Sequence, residues 1–329
     1  MKIVRLILLI LHLGIFLLLV GILLNAYIPP KVFPWFNLLS LGFPFLITGY
    51  ILLTIFWIFS WKKRAFVFLF LGLLFFNSTI RWVNYSSKKG EVADLKIVSF
   101  NTKIAKFGKK NIEAYIDSIN ADVVFLQEDG QKKYQFKGLS KTINNRVVIS
   151  TFTKHKIIAE KELIFSEFIN AYGSQTDIEI KGKIYRFINV YLGPFKFEKS
   201  MVKLGVNKDE DEEKAKNIVK KLIPTFKQHQ EQVNMIREGV ENSPYPVILA
   251  GDFNSVPNSY EYYHLLDGLQ DAFVESGSGS GTSFHDYKFP IRIDYVFTSK
   301  SIQPISYTVD RSVNISDHYP VIASFKLNR

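Results

Sequence analysis

The sequence predicts an α/β fold in which two β-sheets pack face to face with helices outside, behind three N-terminal membrane-spanning helices. Two observations predict it. Three long apolar runs without a charged residue occupy the first 80 residues. Beyond residue 94 the apolar segments shorten to strand length and become numerous, with few helical stretches between them.

The apolar runs cover residues 6–28, 36–58 and 65–80. A helix rises about 1.5 Å per residue, so roughly 20 residues cross a 30 Å hydrocarbon core. The first two runs meet that length, and the third is completed by Arg81 and Trp82 at the interface. Trp35, Trp57 and Trp61 stand where an aromatic belt is expected. The first run exceeds the length of a signal-peptide core, and no small-residue cleavage site follows it. The turn Trp61-Lys62-Lys63-Arg64, with Lys2 and Arg5, outweighs Lys31, Arg81, Lys88 and Lys89 by five to four. The expectation is therefore a three-span anchor over residues 1–82, with the C-terminal domain on the non-cytoplasmic side. The spans carry no carboxylate and no His-rich path, which argues against a transport pathway; His12 is the one histidine in them.

The formal charge of +11 invites a nucleic-acid reading, but its location removes most of the force. Residues 1–90 hold nine basic residues and no acidic one, whereas residues 91–329 hold 32 basic against 30 acidic. The basic balance belongs to the flanks of the apolar runs rather than to a phosphate-binding face. With no cysteine, disulfides, thiolate metal sites and cysteine nucleophiles are excluded.

Residues 83–93 change to a polar composition and read as a linker. The domain that follows, 94–329, has expected strands at 95–101, 122–127, 146–151, 177–180, 183–192, 247–251, 293–298, 306–310 and 321–326. Helices are expected at 110–120, at 212–240 with a kink at Pro224, and at 260–266. The charge run 208–216 reads as a solvated helix start, and Ser-Gly-Ser-Gly-Ser-Gly-Thr at 276–282 as a surface loop. On this reading, a fragment lacking residues 1–90 stays soluble and active.

Polar residues fall at the carboxyl ends of the apolar strands, where a sheet presents side chains to a site. Asn101 ends Val-Ser-Phe, Gln127-Glu128 ends Val-Val-Phe-Leu, and Asp252-Phe253-Asn254 ends Val-Ile-Leu-Ala-Gly. Asp294 lies inside the apolar stretch 292–297, and Ser316-Asp317-His318 precedes the last strand. A carboxylate inside an apolar strand requires a partner, and His318 is the obvious one for Asp294. Hard divalent cations take carboxylate and amide oxygens, which Asn101, Glu128 and Asp317 can supply. Water activation and charge stabilisation at phosphorus suit Asp252, Asn254 and His318.

The ordered set Ser-Phe-Asn101, Gln-Glu128, Gly-Asp252-Phe-Asn254, Arg-Ile-Asp294-Tyr and Ser-Asp317-His318 resembles the endonuclease/exonuclease/phosphatase superfamily over residues 94–328. With the preceding spans, it resembles a membrane-anchored bacterial branch of it. The resemblance implies a four-layer α/β-sandwich and Mg²⁺- or Mn²⁺-dependent hydrolysis of phosphoesters. By motif, Asn101, Glu128 and Asp317 would serve the metal, and Asp252 the attacking water. Asn254 would hold a phosphate oxygen, and His318 paired with Asp294 would contact the scissile phosphate. One position departs from the commoner Asn-x-His pattern: Asn189-Val190-Tyr191 carries a phenol, as in the family's abasic-site endonucleases, and a phenol of pKa about 10 is a poor proton shuttle at neutral pH. Arg146 has two readings, a contact to phosphate or a simply exposed side chain, and the second is favoured.

The implied function is a membrane-anchored phosphodiester hydrolase, nuclease-like, whose substrate is nucleic acid. The alternative substrate is a phospholipid headgroup, with a sphingomyelinase-like or phosphoinositide-phosphatase-like activity. A non-catalytic binding platform is the remaining reading, and no protein partner is legible.

Overall fold

The computed structural model describes residues 2–86, 90–142, 148–166, 171–195, 208–286 and 291–327. Two six-stranded sheets form the C-terminal part. The first runs β13 (Ile302–Val309), β14 (Val321–Leu327), β2 (Leu95–Asn101), β3 (Val123–Gln127), β5 (Ile149–Thr153) and β4 (Ser140–Lys141). The second runs β10 (Leu269–Asp271), β12 (Asp294–Ser299), β9 (Val247–Asp252), β8 (Lys183–Tyr191), β7 (Ala171–Ile180) and β6 (Lys156–Ser166).

Period-two alternation of apolar side chains builds the layers. Leu95 and Ile97 of β2 join Phe187, Ile248, Ala250 and Val296 of the second sheet in one core. Val98 and Phe100 point the other way, onto Ile112 and Ile116 of α6 (Lys109–Ile119). Val247 and Leu249 of β9 likewise meet Val233 and Ile236 of α7 (Lys208–Glu241), with Tyr262 and Leu265 of α8 (Tyr260–Leu266). The order is helix, sheet, sheet, helix, as expected. Each sheet holds one parallel pair, β2–β3 and β8–β9, crossed by α6 and α7 respectively. Each pair therefore sets two carboxyl ends side by side.

The N-terminal part departs from three straight spans. Among the described residues one helix is long and apolar enough to cross a membrane: α1 (Lys2–Leu23), extended by a 3-10 turn to Ala26, 25 residues in all. The second run breaks into α2 (Trp35–Leu41) and α3 (Phe43–Phe59), which meet at 70°. Pro44 has no amide hydrogen for the Ser40 carbonyl, and its ring would crowd that carbonyl, so one helix cannot run through. The third run, residues 64–80, is divided by a 3-10 turn at Leu73–Phe75 into α4 (Arg64–Gly72) and α5 (Phe76–Ile80). At about 1.5 Å per residue those 17 residues fall short of a 30 Å core.

Polar residues at the ends of these helices bond to the C-terminal part. Asn37 donates to both carboxylate oxygens of Glu261 (3.1 and 2.9 Å) and accepts from the Tyr260 amide (2.7 Å). Asn25 donates to the Asn258 carbonyl, and the Asn258 side chain joins the Ser78 carbonyl to the Arg81 guanidinium. Val83–Tyr85, in the stretch expected as linker, forms β1 and pairs antiparallel with β11 (Ser278–Ser280), within the stretch expected as a loop. Leu41 and Trp82 pack against Val256, Phe284 and Ile293.

Candidate active site

The two parallel pairs meet at their carboxyl ends. Asn101 at the end of β2 lies beside Gln127 of β3, so Glu128 is the next residue beyond that pair. In the second sheet Asp252 lies between Tyr191 on one side and Asp294 on the other. Asn101 joins the sheets, its Nδ2 donating to Glu128 Oε1 (3.2 Å) and Asp252 Oδ2 (3.0 Å). Tyr191 Oη also donates to Glu128 Oε1 (2.8 Å). Beneath them Gln127 Nε2 donates to Asn189 Oδ1 (2.8 Å), and Asn189 Nδ2 to the Ser150 carbonyl (3.1 Å), locking the strand ends across the core.

His318 stands between Asp294 and Asp252. Its Nδ1 lies 2.8 Å from Asp294 Oδ2, and its Nε2 3.8 Å from Asp252 Oδ2. Phe284 contacts the ring edge-on. Burial disfavours an imidazolium here, but the Asp294 and Asp252 carboxylates outweigh it, and the His318 pKa is pushed up to about 10. Burial pushes the Asp252 carboxyl up to about 7 against the pull of His318. Tyr191 is raised well above 10, first by burial and then by Glu128 and Asp252, so it stays a neutral donor.

Local backbone geometry sets these side chains. Gly251 has φ +144°, and a Cβ there would lie 2.0 Å from the Val190 carbonyl oxygen, so the turn that presents Asp252 requires glycine. Glu128 (φ 47°) and Asn254 (φ 45°) are left-handed. So are Lys103, Ile104 and Ala105 in succession, a strain of about 1–2 kcal/mol per residue. The strain is held by bonds from Thr102 N to the Gln127 carbonyl and from Ile104 N to the Glu128 carbonyl.

Asn101, Glu128, Tyr191, Asp252, Asp294 and His318 come together in one network. Asn254 adjoins it: its amide donates to Asp252 Oδ1 (2.8 Å) and its Nδ2 to the Leu192 carbonyl (2.8 Å). Asp317 is reached differently, through Ser316 Oγ, which bonds both Asp317 Oδ1 and the Asn101 carbonyl, and through Lys103 Nζ. Arg146 lies outside the described residues.

Two residues were not singled out from the sequence. Lys103 stands two positions beyond Asn101, and a charge in the loop leaving a motif strand was the available signal. Arg292 is 1% exposed and grips Asp271 bidentately (2.7 and 2.8 Å) while donating to the Arg81 carbonyl. It thereby holds the chain just before Asp294. An Arg opening an apolar strand signals such a buried pair.

The donors suit a hard cation. The Glu128 bonds to Asn101 and Tyr191 both fall on Oε1. Asn101 Oδ1 accepts from the Lys103 amide and keeps a second lone pair. Asp294 Oδ1 is buried without a hydrogen-bond partner among the described residues. Asp252, Asp294 and His318 each place a ligand atom within 4.8 Å of the others. An imidazolium has no lone pair to give, however, so the oxygen side around Glu128 and Asn101 is the better fit.

Solved structures share the fold. The D. rerio protein TDP2, humanized by 14 mutations, superimposes with a TM-score of 0.52 at 15% identity, over 70% of this chain and 98% of that one. A family protein from Bacteroides thetaiotaomicron gives 0.50 at 16% identity, over 71% and 95%. The human Nocturnin catalytic domain with bound sulfate gives 0.50 at 15%, over 70% and 94%. At these identities the likeness establishes the fold. No curated protein matches the chain. A model described as a domain of unknown function (DUF8431) matches residues 5–82. The model of the Endonuclease/Exonuclease/phosphatase family matches residues 98–318, about two-thirds of the chain: the chain belongs to that family, as a phosphoester hydrolase.

Proposed function

We propose that the protein is a divalent-metal-dependent phosphodiester hydrolase, nuclease-like in its chemistry and held at a membrane through its N-terminal helices. The observation that carries the reading is the joined network of Asn101, Glu128 and Asp252 facing His318 on Asp294. Glu128 and Asn101, with Asp317, would hold Mg²⁺ or Mn²⁺. That cation would supply positive charge for the phosphoryl oxygens.

Asp252 sits between the two halves of the network and is the base for an attacking water. His318, kept as an imidazolium with its Nδ1 turned to Asp294, offers Nε2–H to a phosphate oxygen as negative charge builds there. Asn254 Nδ2 spends one hydrogen on Leu192 and has a second for another oxygen. Tyr191 orients Glu128 rather than moving a proton.

One observation favours the headgroup alternative. The helices fasten directly to Asn258 and Glu261, a few residues beyond Asp252 and Asn254. α1 meanwhile exposes Ile3, Leu6, Ile7 and Ile10, a face suited to lipid. The full chain in detergent or nanodiscs, supplied with Mg²⁺, is assayed on plasmid DNA and on phospholipid vesicles. Cleavage of DNA that stops with chelator is the expected result. Cleavage of vesicles alone replaces the nuclease reading with the headgroup one, and activity unaffected by chelator removes the metal.

A further inference from the structure

The cleft gathers the carboxylates of Glu128, Asp252, Asp286, Asp294 and Asp317, a poor reception for a phosphate anion unless cations answer it. His318 is one such cation, and it is already committed to Asp294 through Nδ1. Lys103 is another. Its ammonium bonds Asp317 and also Asp286 (3.1 Å), and it reaches into the site from the loop immediately beyond Asn101. Its backbone amide is fixed on Asn101 Oδ1 (3.0 Å), the neighbouring Ile104 amide is fixed on the Glu128 carbonyl (2.7 Å), and Lys103, Ile104 and Ala105 are all left-handed. Gly130 closes over the turn, since a Cβ there would stand 2.4 Å from Ile104 Cγ2. An ammonium has three donors, of which the two carboxylates take two, and the side chain is 25% exposed rather than sealed in. A structural ion pair would need neither the strained loop nor a place beside the two residues best suited to hold a cation.

We propose that Lys103 is a substrate-binding residue, whose third ammonium donor takes a non-bridging oxygen of the phosphate. It supplies positive charge beside Asp317, next to the metal that Glu128, Asn101 and Asp317 would hold. Asp317 and Asp286 then serve to aim the ammonium. The assignment rests on the phosphodiester-hydrolase reading of the same site, and it identifies the ligand only as a phosphate group.

The test uses the full-length protein in detergent, with inorganic phosphate and Mg²⁺ titrated separately by calorimetry, for the wild type and Lys103→Met. A charge-assisted hydrogen bond of this kind is worth about tenfold to a hundredfold in affinity. Phosphate affinity is therefore expected to fall by about that factor. Mg²⁺ affinity is expected to stay the same or rise, because a positive charge has left the carboxylates. Lys103→Arg should recover most of the phosphate affinity. Unchanged phosphate affinity in Lys103→Met overturns the assignment, and so does an equal loss of phosphate and Mg²⁺ affinity, the mark of a merely structural ion pair. Lys103→Gln, similar in length but neutral, repeats the measurement if the methionine variant does not fold. A wild type that binds Mg²⁺ but no phosphate, yet still cleaves phosphodiesters, sinks the lysine assignment alone. A wild type with neither metal binding nor hydrolysis sinks the reading beneath it.

Discussion

The N-terminal helices and the sandwich bury apolar surface in opposite ways. In the sandwich each strand alternates, so Ile248 and Ala250 meet the facing sheet while Val247 and Leu249 meet helices, and polar residues are pushed to the strand ends where they converge on chemistry. The helices are apolar nearly all round: Leu19, Ile22, Tyr50, Trp57 and Phe75 pack among themselves, while Ile3, Leu6 and Phe66 stay outside. Their polar residues are few, and those at the ends, Asn25, Asn37 and Arg81, join the two regions instead of forming a site. The same placement of polar groups thus has two outcomes, set by what the ends meet. Chemistry should respond to changes in the sandwich alone, and stability to changes on either side of the joint.

The sharpest form of that contrast is at Asp252 and His318. On the roles proposed for them, Asp252→Asn would remove the base and His318→Ala the donor to phosphate, so each should lower kcat by about a hundredfold or more with the fold retained by circular dichroism. Near-normal turnover in either would remove its assigned role. The opposite manipulation is to delete residues 1–82. Glu261 then loses Asn37, Asn258 loses Ser78 and Arg81, and Arg292 loses the Arg81 carbonyl. At roughly 1–3 kcal/mol for each of these three orphaned groups, about 3–9 kcal/mol of stability is at stake. Urea unfolding of the fragment should show it. A fragment as stable and active as the whole chain would restore the picture of a tethered, independent domain.

A smaller effect should appear on acidification. Glu261 is fully buried, which alone would raise its pKa, but His229 (2.8 Å) and Asn37 stabilise the carboxylate more, and the net shift is downward. A carboxyl held below its unfolded value of about 4.3 contributes stability that is complete above that value and is lost as pH falls through the lower, folded one. Thermal unfolding followed from pH 6 downward should therefore weaken below about pH 4.3. The slope should be shallower in Glu261→Gln. An unchanged slope would mean that the joint does not depend on this carboxylate.

Most of the sandwich was legible because burial on both faces writes long apolar strands, and because a site at strand ends leaves its residues there: Asn101 and Asp252 end their strands, Glu128 follows one, and Asp294 opens another. What was not legible had no such periodicity. β6 carries Lys156, Glu160, Lys161 and Glu162 and pairs along an edge, so its pattern is blurred. β11 is Ser-Gly-Ser, a strand only because Val83–Tyr85 lies against it. The first two apolar runs met the length test by composition, yet the Gly42–Pro44 stretch bends the second through 70°. Lys103 carries no pattern either; its position depends on a left-handed turn that propensity disfavours.

Tyr191 is where the smallest change should be seen, and where the departure from the family's commoner histidine is decided. If the phenol moved protons, its loss would reshape the activity profile near its own pKa. Burial and the neighbouring carboxylates hold it well above 10, so between pH 6 and 9 it is a neutral donor to Glu128 and nothing more. Tyr191→Phe removes one of the two bonds on Glu128 Oε1 and leaves the Asn101 bond in place. With one orienting partner gone, the Mg²⁺ needed for half-maximal activity should rise by about tenfold. At saturating metal, kcat should change by less than about threefold, with both limbs of the pH profile unmoved, since no reacting group has been altered. A displaced limb would make Tyr191 an acid or base in its own right, and would shift to it part of the work assigned here to Asp252.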